Sequence, residues 1–437
     1  MIRRAAKYAL SAAVVVAAPT AAQTSADTTA FVDVAVVPMD RNVVLEHRTV
    51  LVVAGRIVGI SSVDSVVIPP RARRIEGQGR LYLIPGLVDS HVHLELNERR
   101  WLPVFLASGV TTVINLRGEA RHLVLRDDVA AGRVIGPTIY TAGRYANLPL
   151  VTSPDDAANE IKLQKEAGYD LVKIHGNLTG PAFARLADEA RRVGIPLVGH
   201  APRNLPFDSV IANRQVMVAH VEELLYTHYR RAGDTTGTGA LGARMRDAGV
   251  WLTPNLVAYT LIARQIGRPQ VIDSVLRLPE SKLLDSGLKQ LWRGGMYTNR
   301  PLEDAPSYER NRAFLFDVTA GLHAAGVKML AGTDTPLPAI YPGKSLLDEL
   351  DLLVSAGLSR YEALATATRN AGEFIGTHVR PGTHVGTVTV GSRADLVLVD
   401  ANPLENFTTL RHPVGTMIGG RWYSAADLRE LLSAIER

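Results

Sequence analysis

Between residues 85 and 379 the chain alternates short apolar runs suited to strands with longer amphipathic runs suited to helices. This alternation restricts the fold more than any other feature of the sequence. Ser153-Pro154-Asp155-Asp156 predicts a helix start, with a capping Ser, a Pro that the first turn tolerates, and acids at the positive end of the helix dipole. That helix is expected to end at Gly168, and Leu171-Val172-Lys173-Ile174 then predicts a buried strand. A second helix, with Phe183, Leu186, Ala187 and Ala190 on one face, is expected to stop at Gly194 before the strand Pro196–His200. Ser359 and Glu362 form a capping box ahead of a later helix. Parallel strands need long crossovers, and helices supply them. Repetition over about 290 residues therefore predicts an α/β fold, a (β/α)8 TIM barrel.

The two ends read differently. Phe31–Val37, Thr49–Val53, Arg56–Ile60 and Ser65–Ile68 are rich in β-branched residues and separated by turn residues such as Gly55 and Pro69-Pro70. Gly386–Gly391 and Ala394–Asp400 look like strands, and Val414–Ile418 with Arg421–Tyr423 like a hairpin around Gly419-Gly420. Residues 23–84 and 380–437 are thus expected to pack together as one small β-sandwich domain beside the barrel, 85–379. The polar stretch Lys282–Arg312 predicts an irregular loop or lid.

Residues 1–22 place Arg3, Arg4 and Lys7 before the apolar run Tyr8–Ala18 and small residues near Ala22, the pattern of a secretory signal peptide. The run is short for a membrane span, so no stable membrane insertion is expected after its removal, and the location is periplasmic or secreted. Most of the formal charge of +5 leaves with the three basic residues, so there is no basic surface to suggest a nucleic-acid partner. The expected partner is a small-molecule substrate, and a homo-oligomer remains open. The chain has no Cys, so a metal site must use His, carboxylate or modified Lys.

Chemistry gathers at predicted strand ends. Ile84–His93 is an apolar strand finishing in His91-Val92-His93, and residues two apart on a strand face the same side, so both imidazoles converge. The motif is weak alone and gains weight from its place as the first strand after the β-rich segment. Lys173 lies inside an apolar strand, where Lys is rare unless paired or functional; a Lys reaching back to water is the competing explanation. His200 and His220 each close a later strand, about one strand–helix unit apart. Either alone suits a structural role, whereas three successive strands offering one ligand each is a much rarer coincidence. Asp334 closes the run Met329–Thr333, where it suits metal ligation and proton transfer as well as the capping of a following helix.

The order His-x-His, Lys, His, His, Asp resembles the two-metal pattern of the amidohydrolase superfamily, and the resemblance spans nearly the whole mature chain. Leu83–Asp89 resembles that family's approach to the barrel, and Gly386–Val397 its return to the sandwich. His220-Val221-Glu222-Glu223 and Gly332-Thr333-Asp334 are similar to segments of the imidazolonepropionase-like and Xaa-Pro dipeptidase-like branches. True imidazolonepropionases lack the strand Lys and use one metal, so Lys173 favours the dipeptidase-like side. The resemblance implies that His91, His93 and Asp334 hold one divalent ion and His200 and His220 a second. Lys173, carboxylated by carbon dioxide, would bridge them as a carbamate. The ligand types suit Zn2+. The implied activity is hydrolysis of an amide or peptide C–N bond, in a dipeptide or N-acyl amino acid, by metal-activated hydroxide with Asp334 moving the proton. A lactonase, esterase or cyclic-amide hydrolase is the alternative on the same site, and a non-catalytic binding protein would be expected to have lost ligands. Candidate substrate contacts are His175, Tyr226, Asn255, Tyr259, Arg117, His122 and Arg126, though for each a structural role is the stronger reading.

Overall fold

Residues two apart along the short central strands point the same way, and the core sorts accordingly. Leu171, Val198, Met217, Ala219 and Trp251 pack into one cluster, while Val172, Ile174, Leu197, Val218 and Leu252 pack into another with the flanking helices. The computed structural model that shows this describes residues 28–94 and 98–436, so the expected signal peptide lies outside the described residues.

Strands Leu87–Val92, Val110–Asn115 and Thr138–Thr141 pair in parallel. Strands Val172–Ile174, Leu197–Gly199, Met217–Ala219 and Trp251–Thr253 form a second parallel set. A parallel bridge between Ala142 and Leu171 joins the two sets. Parallel bridges Leu252–Met329 and Val92–Thr335 then carry the pairing through the segment bearing Asp334 back to the first strand. Between strands run helices such as Pro154–Glu166, whose Ser153 cap accepts from Asp156 N, and Gly180–Val193, which ends at Gly194 in the left-handed conformation. Ser359 and Glu362 form the expected capping box.

The two chain ends meet as expected, hydrogen-bonded into one continuous mixed sheet. Its order is Arg421–Ser424, Gly415–Ile418, Leu396–Val399, Tyr82–Pro85, Thr28–Val36, Leu45–Val53 and Arg56–Ser62, with Arg73–Glu76 also on Thr28–Val36. The sheet curls far enough to bring Phe31 edge-on to Trp422, with ring centroids 5.3 Å apart.

Three expectations fail locally. Ser65–Ile68 forms no strand; a 3-10 turn at Val63–Ser65 leads to the strand Arg73–Glu76, and Val67 is left 91% exposed with no neighbour to cover it. Gly386–Gly391 is turn and extended chain, because its donors reach separate edges: Val388 N donates to Pro38 O, and Gly391 N to Ile57 O. Lys282–Arg312 is largely helical, containing Ser286–Arg293 and the start of Ala305–Ala324. Asp285 caps the first of these, and Leu288 and Trp292 are its buried face. Only those two anchors are apolar and buried, so the period is hard to read through the polar residues around them. Among the described residues no helix is long and apolar enough to cross a membrane.

Candidate functional site

Lys173 shares its side of the strand with Leu171, so its stem runs into the ring of strands and not out to solvent. It is wholly buried, with Nζ 3.3 Å from His91 Nε2. The path for that stem depends on the next strand. A Cβ at Gly199 would lie 2.5 Å from Lys173 Cδ and 2.4 Å from Ile174 O, and φ there is +114°. Only glycine fits.

The other predicted ligands gather at the same rim. Asp334 Oδ1 lies 2.8 Å from His93 Nε2 and 3.1 Å from His91 Nε2, and its Oδ2 lies 3.6 Å from His220 Nε2. Ring centroids of His91 and His220 are 4.7 Å apart, and those of His200 and His220 4.8 Å. His91, His220 and Asp334 bring ligand atoms within 4.8 Å of one another, all buried. The backbone is bent to achieve this: His220 (φ +72°), Asp334 (φ +62°) and Asn255 (φ +53°) are left-handed non-glycine residues. Such conformations are costly and persist where surrounding contacts hold them. Here His220 N donates to Thr253 O and Asp334 N to His91 O, each at 2.8 Å.

The electrostatics follow from burial. Desolvation, helped by the charge of Lys173, lowers His91 to about 4. His200 and His220 are lowered well below the ordinary imidazole value, again chiefly by burial. Lys173 is brought down to about 8 by loss of solvent. Burial opposes ionisation of Asp334, but His91, His220 and the hydrogen bonds from His91 and His93 outweigh it and hold the carboxyl well below its usual range. Neutral imidazoles around an ionised carboxylate are the donor set that divalent cations take. Among the described residues, Nδ1 of His93 and Nδ1 of His220 are buried and find no hydrogen-bond partner. These observations fit a metal centre.

Several residues that hold the ligands were not singled out from sequence. Glu223 Oε1 accepts from His200 Nδ1 at 2.7 Å and from Arg203 Nη2 at 2.6 Å. Asp89 accepts from Thr333 Oγ1 at 2.7 Å and from Thr333 N at 3.1 Å, tying the first strand to the Asp334 segment. Burial raises Asp89 to about 7. Glu349, pushed up to about 8 by burial, accepts from Leu256 N and Val257 N at 3.1 and 2.6 Å, and so fixes the helix that begins after Asn255. Gly332 is needed for close approach, since a Cβ there would lie 2.8 Å from His91 Cβ. Glu223 and Asp89 sit beside motif residues, a signal that could have found them. Glu349 has no local signal.

The expected substrate contacts divide. His175 is exposed, stacked on Tyr145 at 4.6 Å and 4.4 Å from the His200 ring. Arg117 lies over the other partner in that stack, Tyr145, at 5.4 Å. Tyr226 is half-buried beneath Arg203, 4.4 Å from its ring. Tyr259 is buried, and its hydroxyl accepts from Asn311 Nδ2 at 3.1 Å. The other three are placed elsewhere. Asn255 Oδ1 faces His91 Nδ1 at 3.3 Å, a positioning role that directs Nε2 to the cluster. His122 is buried against backbone, its Nδ1 accepting from Glu119 N and its Nε2 donating to Leu94 O. Arg126 pairs with Asp170 at 3.0 Å, ahead of the strand Val172–Ile174 and so at the end of the ring away from Asp334.

Comparison with known proteins bears on this arrangement. The model of the amidohydrolase family matches residues 82–423. An imidazolonepropionase from Maricaulis maris (strain MCS10) is 25% identical over 418 residues, 87% of this chain and 94% of that protein. Among solved structures, bottromycin amidohydrolase superposes with a TM-score of 0.71 at 24% identity, over 94% of this chain and 91% of its own. A Xaa-Pro dipeptidase with methionine bound in its active site gives 0.69 at 17% identity, over 91% and 100%. At such identities these structures speak for the fold.

Proposed function

Because the chain belongs to the amidohydrolase family, we propose that it is a two-metal hydrolase of amide or peptide C–N bonds, acting on dipeptides or N-acyl amino acids. In this reading the parallel ring is a (β/α)8 barrel spanning 85–379, with 23–84 and 380–437 as the accompanying β domain. The observation that carries it is Lys173, wholly buried with Nζ 3.3 Å from His91 Nε2. An uncompensated Lys beside imidazoles is unfavourable. Its lowered basicity supplies the free amine that reacts with carbon dioxide, forming an N–C bond and releasing one proton. The resulting carbamate on Lys173 would hold both cations. His91, His93 and Asp334 would complete one site, and His200 and His220 the other.

Divalent ions, Zn2+ in this reading, supply a lowered water pKa and polarisation of the substrate carbonyl. The rest belongs to the chain. Asp334, held ionised, accepts a proton from the attacking water as its oxygen bonds to the carbonyl carbon. It returns that proton to the leaving nitrogen as the C–N bond breaks. His200 is oriented by Glu223, and His91 by Asn255. Residues 1–22 are read as an export signal, which the N-terminus of the secreted protein would check.

The test is metal content per chain, with turnover of a dipeptide and N-acyl amino acid panel, for wild type and Lys173→Ala after growth with metal and bicarbonate. About two metals in wild type, lost in the variant together with turnover, is the expected result. Unchanged metal content and rate in Lys173→Ala would sink the bridge. Turnover of lactones or esters alone would move the substrate class.

A further inference from the structure

The turn that follows Asp334 is gripped from two sides. Pro336 and Pro338 lack an N–H, so the turn has few donors of its own. From the first strand His93 N donates to Thr335 O at 2.8 Å, and within the turn Thr335 Oγ1 donates to Ile340 O at 3.0 Å. The two proline carbonyls are taken by side chains of separate helices. Trp292 Nε1 donates to Pro336 O at 3.0 Å, and Gln265 Nε2 donates to Pro338 O at 3.0 Å. Both donors are sealed from solvent, at 1% exposure each. Trp292 belongs to the helix Ser286–Arg293, inside the stretch whose sequence suggested a loop or lid. Gln265 ends the helix Leu256–Gln265, which begins after Asn255. The Trp292 ring also meets Tyr341 edge-on at 5.1 Å, and the Tyr341 hydroxyl donates to Val275 O at 2.9 Å.

A buried indole N–H needs some acceptor. This one takes a carbonyl two residues from Asp334, and a second helix independently takes the carbonyl of Pro338. Asp334 lies on a left-handed backbone with Oδ1 2.8 Å from His93 Nε2, so its carboxylate is aimed by the course of the chain around it. A ligand aimed in that way depends on the groups that hold its backbone, and small displacements of it are costly. We propose that Trp292 and Gln265 are positioning residues for Asp334, and that the helix Ser286–Arg293 is a fixed brace on the metal side of the site and not a lid that opens. This rests on the metal-centre reading of Asp334, and not on which bond is cut.

Co2+ is the probe, because its visible bands report the ligands around it and its release to EDTA reports how firmly they hold. Trp292→Phe keeps a ring against Tyr341 and removes the N–H. It is expected to shift the bands of the Co2+-loaded protein and to release the ion about tenfold faster. With any substrate turned over, kcat should fall about tenfold while KM stays within about twofold. Tyr341→Phe is the comparison, since it deletes a hydrogen bond of the same cluster without touching Pro336 O, and it should match wild type in bands and release. Wild-type bands and release in Trp292→Phe overturn the proposal. Equal changes in the two variants also overturn it, since packing alone would then account for Trp292. Gln265→Met removes the second donor at similar length. Should Trp292→Phe not fold, faster release from Gln265→Met upholds the proposal and wild-type release ends it. Wild type that binds Co2+ but cleaves no peptide or N-acyl amino acid ends the hydrolase reading, and the release comparison still decides this one. Wild type that binds no Co2+ overturns both.

Discussion

Asp170 and Asp334 are both buried aspartates at ends of the same ring of strands, and they are treated in opposite ways. Asp170, ahead of its strand, accepts from Arg126 Nη1 at 3.0 Å, Arg380 Nη2 at 3.1 Å and Thr141 N at 3.0 Å. Its neighbours are permanent cations and a backbone donor, and it keeps distant parts of the chain together. Asp334 is surrounded by imidazoles whose protonation burial suppresses, on a backbone in the left-handed region. On its side of the ring Nδ1 of His93, Nδ1 of His220, Nδ2 of Asn255 and Oε2 of Glu222 are buried and find no hydrogen-bond partner among the described residues. At the first end the Asp170 carboxylate is satisfied for stability. The second leaves polar atoms open for something that binds, as expected at the C-terminal mouth of a strand ring.

The contrast can be broken most directly at Asp334. Asp334→Asn keeps the shape and removes the proton acceptor, so kcat should fall about a thousandfold or more while the melting temperature holds or rises. Comparable loss of both in parallel melts and rates would mean that Asp334 is a structural residue. Gly199→Ala tests the route to the site: the added Cβ meets Lys173 Cδ at 2.5 Å, so roughly 3 kcal/mol of stability should be lost along with bound metal. Denaturant melts with metal analysis check it. Arg126→Ala acts at the other end, where roughly 1–2 kcal/mol should be lost with kcat/KM essentially unchanged. A large fall in kcat/KM there would erase the division between the two ends.

The last prediction concerns pH, where a slope is read and not an offset. Glu349 is raised to about 8 in the fold against 4.5 for an ordinary Glu, so unfolding releases its proton. Its contribution is therefore fully present below about 4.5 and lost as pH rises to about 8. Glu349→Gln should flatten the stability profile across that window in urea melts, and an unchanged slope would show that Glu349 is ionised in the fold.

Much of this molecule was legible from its residues. The strand–helix alternation, the caps at Ser153 and Ser359, the helix end at Gly194 and the meeting of the two chain ends follow from local periodicity and turn chemistry, which neighbours in sequence express. The six candidate ligands were visible because a polar residue closing an apolar strand is conspicuous against it. The helix Ser286–Arg293 was missed because its apolar anchors are few, and the strand expected at 386–391 because its hydrogen bonds go to separate edges.

The sequence by itself determined the kind of structure and the candidate ligands along its strands. Tertiary structure alone decided that Asn255 turns toward His91, that Arg126 faces Asp170 at the far end, and that Glu349 holds the helix after Asn255. Those choices depend on which strands and helices become neighbours in space. Partners from Asn255 to His91 and from Glu349 to Val257 are far apart along the chain, so no local pattern records them.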